Sequence, residues 1–276
     1  MIFGLASAIS WGAGDFGGGI TSRRAPVFGV VFISQIVGMA LALSLALLLG
    51  ETLFTGTDLV WSVAGGIAGG IGITSLYRAL SIGRMAVVAP VTAVLAAMIP
   101  VGVGFVTEGL PNQVVIVGIA LAILAVVLVS RVEDESDGRS AGLGLAVVAG
   151  VGFGLFGVCI GQLSDDHVFG PLTVVRATEA IMLAGVIVIS RSGWRPPRDL
   201  LLAICAVGVL DMAGNGAYIL SAQAGSLAIA SVLSSMYPVT TVILAALVLR
   251  ERITRTHAIG IGLAAAAVAM IAIGST

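Results

Sequence analysis

The sequence predicts an all-α polytopic membrane protein, with ten transmembrane helices arranged as two inverted five-helix repeats. Three observations predict it. Of 276 residues, 58% are hydrophobic and 10% charged, with a mean hydropathy of +1.15, whereas a soluble domain carries about 25% charged residues to wet its surface. Ten apolar runs of about 18–23 residues follow one another, each long enough to cross a bilayer as a helix. The two halves also repeat a pattern of small residues at an offset of about 140 residues.

The spans are expected at 2–20, 27–49, 59–80, 85–106, 113–130, 142–163, 169–190, 199–221, 226–249 and 257–274. The first run lacks a basic leader and runs on into a second, so it is expected to be a membrane span and not a cleaved signal. Short connections carry the Arg, Asp, Glu or Pro that ends each run. The longest charged segment, Arg131 to Arg139, lies near the midpoint and reads as a linker. The expected division is therefore a first repeat over 1–131, a charged linker over 132–140 and a second repeat over 141–276.

Gly4, Leu5 and Ala6 match Gly144, Leu145 and Ala146, and Gly12, Gly14, Phe16 and Gly17 match Gly152, Gly154, Phe156 and Gly157. Further along, Gly83 and Ala86 match Gly225 and Ala228, Gly118 matches Gly260, and Glu108 falls within one residue of Glu251. Five spans is an odd number, so the second copy must insert upside down relative to the first. The charges agree. Arg23, Arg24 and Arg84, then Arg131 and Arg139, then Arg191, Arg195, Arg198, Arg250, Arg252 and Arg255 all fall on one side of a ten-span chain. The opposite loops carry Glu51, Asp58, Glu108, Asp165 and Asp166. By the positive-inside rule the arginine side is the cytoplasm, which places both termini outside it in a cell (inner or plasma) membrane.

Composition also excludes classes. A net charge of -1, with no lysine, argues against a nucleic-acid partner. Cys159 and Cys205 lie in apolar runs without metal or disulfide spacing, so neither metal nor cofactor is expected. A membrane-embedded lipid-modifying enzyme would need a nucleophile with a base, or a metal cluster, at bilayer depth. His167 and His257 are both at span edges, and no HExxH-like spacing exists, so this stays a remote alternative and the chain is read as no enzyme.

Ionisable and polar groups within spans are the candidates for function, because burying a charge at the bilayer centre costs at least about 2.5–3.5 kcal/mol. Asp15 lies in the first span beside Trp11, within a glycine-rich stretch. It reads either as a proton- or cation-binding carboxylate facing a cavity, or as a helix-end acid paired with Arg23 or Arg24. The second copy has Val151 and Leu155 at the corresponding positions, so the acid and the tryptophan belong to one half only. Arg176 and Glu179 are three apart and share a helix face. They form either a structural salt bridge or an anchor for a carboxylate or phosphate, with Gln35 as the repeat counterpart of Arg176. Asp211 and Asn215, four apart, are expected to line a cavity, since a polar stripe cannot face lipid. Tyr77 and Trp11 are aromatic wall or packing residues. The Ala64 to Gly72 stretch reads as a small-residue surface for close helix packing, and Arg78 as an anchor at the membrane edge. Glu108 and Glu251 are expected to fix the start of the span that follows each.

Trp11-Gly12 in the first span, Tyr77-Arg78-Ala79-Leu80 ending the third, Pro238 in the ninth and Glu251-Arg252 before the last occur in an order that resembles the EamA group of the drug/metabolite transporter superfamily. Arg250 stands where that family usually has Gly, the first-half copy reads Glu108-Gly109, and Pro100 lies closer to Glu108 than the family pattern. The resemblance implies a ten-helix secondary transporter with a central cavity, often an exporter of amino acids or other metabolites. Its members usually keep both termini in the cytoplasm, contrary to the arginine pattern here. The expected function is thus secondary transport of a small organic metabolite by alternating access, with proton-coupled efflux of cationic drugs as the alternative. The expected partners are the substrate and the lipid bilayer, with a coupling proton and a homodimer left open.

Overall fold

The computed structural model describes residues 2–53, 56–108, 112–130, 142–163, 167–223, 233–234, 236–251 and 255–274. The expected linker over 132–140, the acids Asp165 and Asp166, and the first part of the ninth span lie outside the described residues. Among the described residues there are ten α-helices: α1 (Ile2–Arg24), α2 (Val27–Leu49), α3 (Gly56–Ile82), α4 (Met85–Glu108), α5 (Gln113–Ser130), α6 (Leu143–Ile160), α7 (Phe169–Ser190), α8 (Leu201–Gln223), α9 (Tyr237–Val248) and α10 (Arg255–Gly274). Each occupies one of the expected spans. Five are long and apolar enough to cross a membrane, and others are shorter apolar helices. The fold is polytopic and all-α.

In a bilayer a helix is the only open-chain way to satisfy every backbone group, which is why these apolar runs coil. Their ends show where polar chemistry extends or stops them. α1 continues past its apolar run to Arg24, because the Thr21 hydroxyl donates back to the Gly17 carbonyl at 2.8 Å and two arginines suit the negative end of the helix. Gly50 ends α2 in the left-handed region (φ 71°), with its N–H turned back to the Ala46 and Leu47 carbonyls. Arg250, after α9, holds φ 54°. That is the region glycine prefers, which accounts for the glycine expected at this position from the family pattern.

The outside is apolar: Leu48, Ile189 and Leu202 are 81%, 86% and 83% exposed, as side chains facing lipid are. The inside holds buried Ser34, Gln35, Arg176, Glu179 and Thr241. Helices pack chiefly across the two halves. α1 lies against α8 and α9, α3 against α6 and α7, α2 against α7 and α8, α4 against α6, and α5 against α10. Exchanging each first-half helix for its second-half counterpart turns α1–α8 into α6–α3, α1–α9 into α6–α4 and α2–α8 into α7–α3.

Single glycines obey the same exchange. A side chain on Gly66 would meet the Val175 carbonyl at 2.7 Å, and one on Gly208 would meet the Ser34 carbonyl at 2.5 Å. Gly170 abuts the Thr52 carbonyl and Gly29 the Trp194 carbonyl in the same way. Backbone cannot swing aside as a side chain can, so only glycine allows these helices so close. Gly66→Ala and Gly208→Ala are each expected to destabilise by about 1–3 kcal/mol through overpacking. Gly185→Ala, with nothing within 4 Å of the added carbon, should melt like the parent. Thermal unfolding in detergent checks the contrast; equal melting of all three would refute it.

The same contacts gather the arginine-bearing helix ends. Arg24 pairs with Asp199 at 3.1 Å, joining the end of α1 to the start of α8, and Arg23 donates to the Leu80 carbonyl near the end of α3 at 3.3 Å. Trp194 packs edge-on against Phe32 of α2, with ring centroids 5.8 Å apart.

Candidate functional site

α1 carries Trp11 and Asp15 one turn apart, and its glycines let three neighbours close in. Tyr77 of α3 seats on Gly18, Leu80 and Met85 on Gly19, and Thr240 of α9 on Gly12. The Thr241 hydroxyl donates to the Gly12 carbonyl at 3.1 Å. On the other side, the Trp11 indole lies on Gly214 of α8, where an added carbon would come within 2.6 Å of Nε1. Trp11 therefore points inward. Its ring stands 5.9 Å from that of Tyr218 and 6.3 Å from that of Tyr237, edge-on to the latter.

These approaches enclose a cavity of about 210 Å³ between the two halves. The first half contributes Trp11 and Asp15 from α1 and Gly69 and Ile73 from α3. The second contributes Phe153 and Phe156 from α6, Arg176 and Glu179 from α7, Asp211 and Asn215 from α8, and Tyr237 at the start of α9.

Arg176 is the hub. Its Nη1 donates to Gln35 Oε1 at 2.7 Å and to Glu179 Oε2 at 3.3 Å, and its Nη2 pairs with Asp211 Oδ2. Glu179 is 3% exposed and Arg176 10%. A buried guanidinium is tolerated only where acceptors surround it, and here they come from α2, α7 and α8. The Nε–H remains buried without a partner among the described residues.

Asp15 is placed differently. The reading as a helix-end acid paired with Arg23 or Arg24 does not hold, because Arg23 reaches Glu251 and the Leu80 carbonyl and Arg24 reaches Asp199. Among the described residues Asp15 has no hydrogen-bond or ion-pair partner. The cavity therefore holds one guanidinium and three carboxylates, one of them unpaired.

Six of the eight residues singled out from sequence line this one cavity: Trp11, Asp15, Arg176, Glu179, Asp211 and Asn215. Gln35 lies behind it, holding Arg176. Tyr77 is buried against Gly18 outside the lining. Sequence reasoning missed Phe153, Phe156, Tyr218 and Tyr237. A signal existed: the chain has three tyrosines, Tyr77, Tyr218 and Tyr237, and each falls within an expected span. The Ala64 to Gly72 stretch packs closely, as expected, with Gly65 against Cys159, Gly66 against Thr178 and Gly72 against Phe153.

Glu251 reaches the other half, where it caps α4 by accepting the Met85 and Ala86 N–H groups at 3.2 Å each; residues 252–254, which lead into the span that follows it, lie outside the described residues. Glu51 does the same for α7, accepting from Val168 at 3.0 Å and Gly170 at 2.8 Å. The side chain of Glu108 is outside the described residues. A carboxylate at a positive helix start is worth about 0.5–2 kcal/mol. Glu51→Gln and Glu251→Gln should each lower the unfolding free energy by roughly 1 kcal/mol. Melting curves of the two variants that superimpose on the parent's would contradict this.

A helical membrane protein with a charged, aromatic-walled chamber between two interlocked halves is the class that fold and site define. Residues 140–273 match the EamA-like transporter family. That family is part of the drug/metabolite transporter superfamily, so the second half of this chain is similar to multi-pass membrane transporters of that type. A solved structure described as "Crystal structure of protein" shares the fold over 98% of this chain and 94% of that one, with a TM-score of 0.67 at 17% identity. No curated protein matches the sequence.

Proposed function

We propose that the protein is a secondary transporter of a small organic metabolite with an amino group, an amino acid above all, exported by alternating access between two inverted repeats. The observation that carries this reading is the cavity itself: an unpaired carboxylate and a guanidinium held by surrounding acceptors line the same chamber between the halves. Asp15 receives the substrate's ammonium group or the coupling proton, and Arg176 receives its carboxylate. Glu179, Asp211 and Gln35 hold the guanidinium, while Trp11 and Asn215 shape the wall. A volume of about 210 Å³ is below the range of about 300–1,000 Å³ typical of sites for drug-sized ligands, which favours a metabolite. The exchange relation among helix pairs and glycine contacts supports repeats over 1–131 and 141–276. Such repeats provide two conformations of nearly equal energy.

Efflux of cationic drugs is the second reading, favoured by three carboxylates against one guanidinium in the cavity. Counterflow into proteoliposomes against a panel of amino acids, monoamines and lipophilic cations separates the two. Exchange of amino acids, and not of monoamines or lipophilic cations, is the expected result; exchange of none above protein-free liposomes would overturn transport of this class. The arginine-bearing helix ends are assigned to the cytoplasm. An alkaline phosphatase fused to the C-terminus should therefore be active, and an inactive fusion whose cytoplasmic reporter counterpart works would reverse the orientation.

A further inference from the structure

At the arginine-bearing end, away from the central chamber, an open cleft of about 470 Å³ lies between the ends of α1 and α3. Ser22, Arg23, Arg78, Ser81 and Gly83 line it, and among the described residues no acidic side chain does so. Helix ends of this polarity repel anions, and arginines there commonly do no more than neutralise the last carbonyls. Arg23 fits that account in part, donating to the Leu80 carbonyl and standing 3.7 Å from Glu251. It keeps further N–H donors, since a guanidinium has five. Arg78 does not fit it. The carbonyl of Arg78 accepts the Ser81 hydroxyl at 2.7 Å, while its guanidinium has no hydrogen-bond or ion-pair partner among the described residues. Ser22 is the independent observation. Its residue is only 5% exposed, yet its hydroxyl has no partner among the described residues. A buried hydroxyl left unpaired is costly, and one at the wall of a cationic cleft needs an acceptor.

We propose that this cleft is a binding site for a phosphate group, held by the Arg23 and Arg78 guanidiniums and the Ser22 hydroxyl. Two guanidiniums flanking one hydroxyl donor suit a tetrahedral oxyanion, which accepts at several oxygens at once. The cleft opens at the membrane edge, so the phosphate comes either from an anionic lipid headgroup or from solution.

Purified full-length protein, parent and Arg78→Gln, is compared for retention of phosphatidylglycerol and phosphatidylcholine by native mass spectrometry. Stabilisation by inorganic phosphate is read from the melting temperature. Arg78 is exposed and holds no helix in place, so the variant folds. Arg24→Gln, which removes an exposed pair with Asp199, is the control for general loss of charge. Phosphatidylglycerol retained over phosphatidylcholine, about tenfold less in Arg78→Gln and unchanged in Arg24→Gln, assigns the site to the headgroup; tenfold is the loss expected for one charge-assisted contact. Stabilisation by inorganic phosphate in the parent and in Arg24→Gln but not in Arg78→Gln, without lipid preference, assigns it to free phosphate. If both probes act equally on the parent and Arg78→Gln, or act equally weakly in Arg24→Gln and Arg78→Gln, there is no phosphate site here.

Discussion

Arg176→Gln is expected to abolish transport and to lower stability by about 3–5 kcal/mol, the usual cost of removing one partner from a buried ion pair. Glutamine can still reach Gln35, but it leaves the Glu179 and Asp211 carboxylates facing one another without a compensating charge. The cause is separable from the loss of a substrate contact. Adding Asp211→Asn to Arg176→Gln removes one uncompensated charge, so the double variant should regain most of the lost stability while remaining inactive. Fluorescence-detected melting and counterflow measure the two quantities. A single variant that melts with the parent would show that the hub does not hold the three helices together.

Asp15→Asn should have the opposite profile. Asp15 supports no partner, so exchanging its carboxylate for an amide of equal size leaves the packing of Trp11 and the α1 glycines intact, and melting should change by less than about 0.5 kcal/mol. Uphill transport driven by a proton gradient should vanish, because an amide cannot take up and release a proton. Downhill counterflow should persist at a reduced rate. Accumulation against a gradient that survives in Asp15→Asn would remove Asp15 from the coupling step. Counterflow lost together with accumulation would instead make the carboxylate the substrate's own ligand.

The membrane-spanning architecture was legible from local composition. Lipid as solvent demands long uninterrupted apolar helices, so run lengths alone locate α2, α5 and α7 at their final bounds. The offset between Gly12 and Gly152, or Gly14 and Gly154, was equally visible. Intramembrane charges announced themselves by their cost, which is why Asp15, Arg176, Glu179 and Asp211 were singled out and why all four line one chamber.

What remained hidden were the partners, since these depend on which helix faces which. Arg176 and Glu179 could be paired from a spacing of three residues, but nothing local joins Arg176 to Gln35, 141 positions away on another helix. Glu251 looked like a cap for the helix it precedes, and only the fold brings it to the start of α4. Asp15 had basic neighbours along the chain, and only the packing of α1 against α3, α8 and α9 turned it away from them. Phe153 and Phe156 showed no pattern distinct from lipid-facing apolar residues until α6 was laid against α3. The sequence by itself determined the solvent, the number of helices and the residues too costly to bury without purpose, because these follow from the chemistry of each segment in lipid. The tertiary structure alone decided that Asp15 stands unpaired and Arg176 does not, because burial and pairing are set by distances between segments remote along the chain.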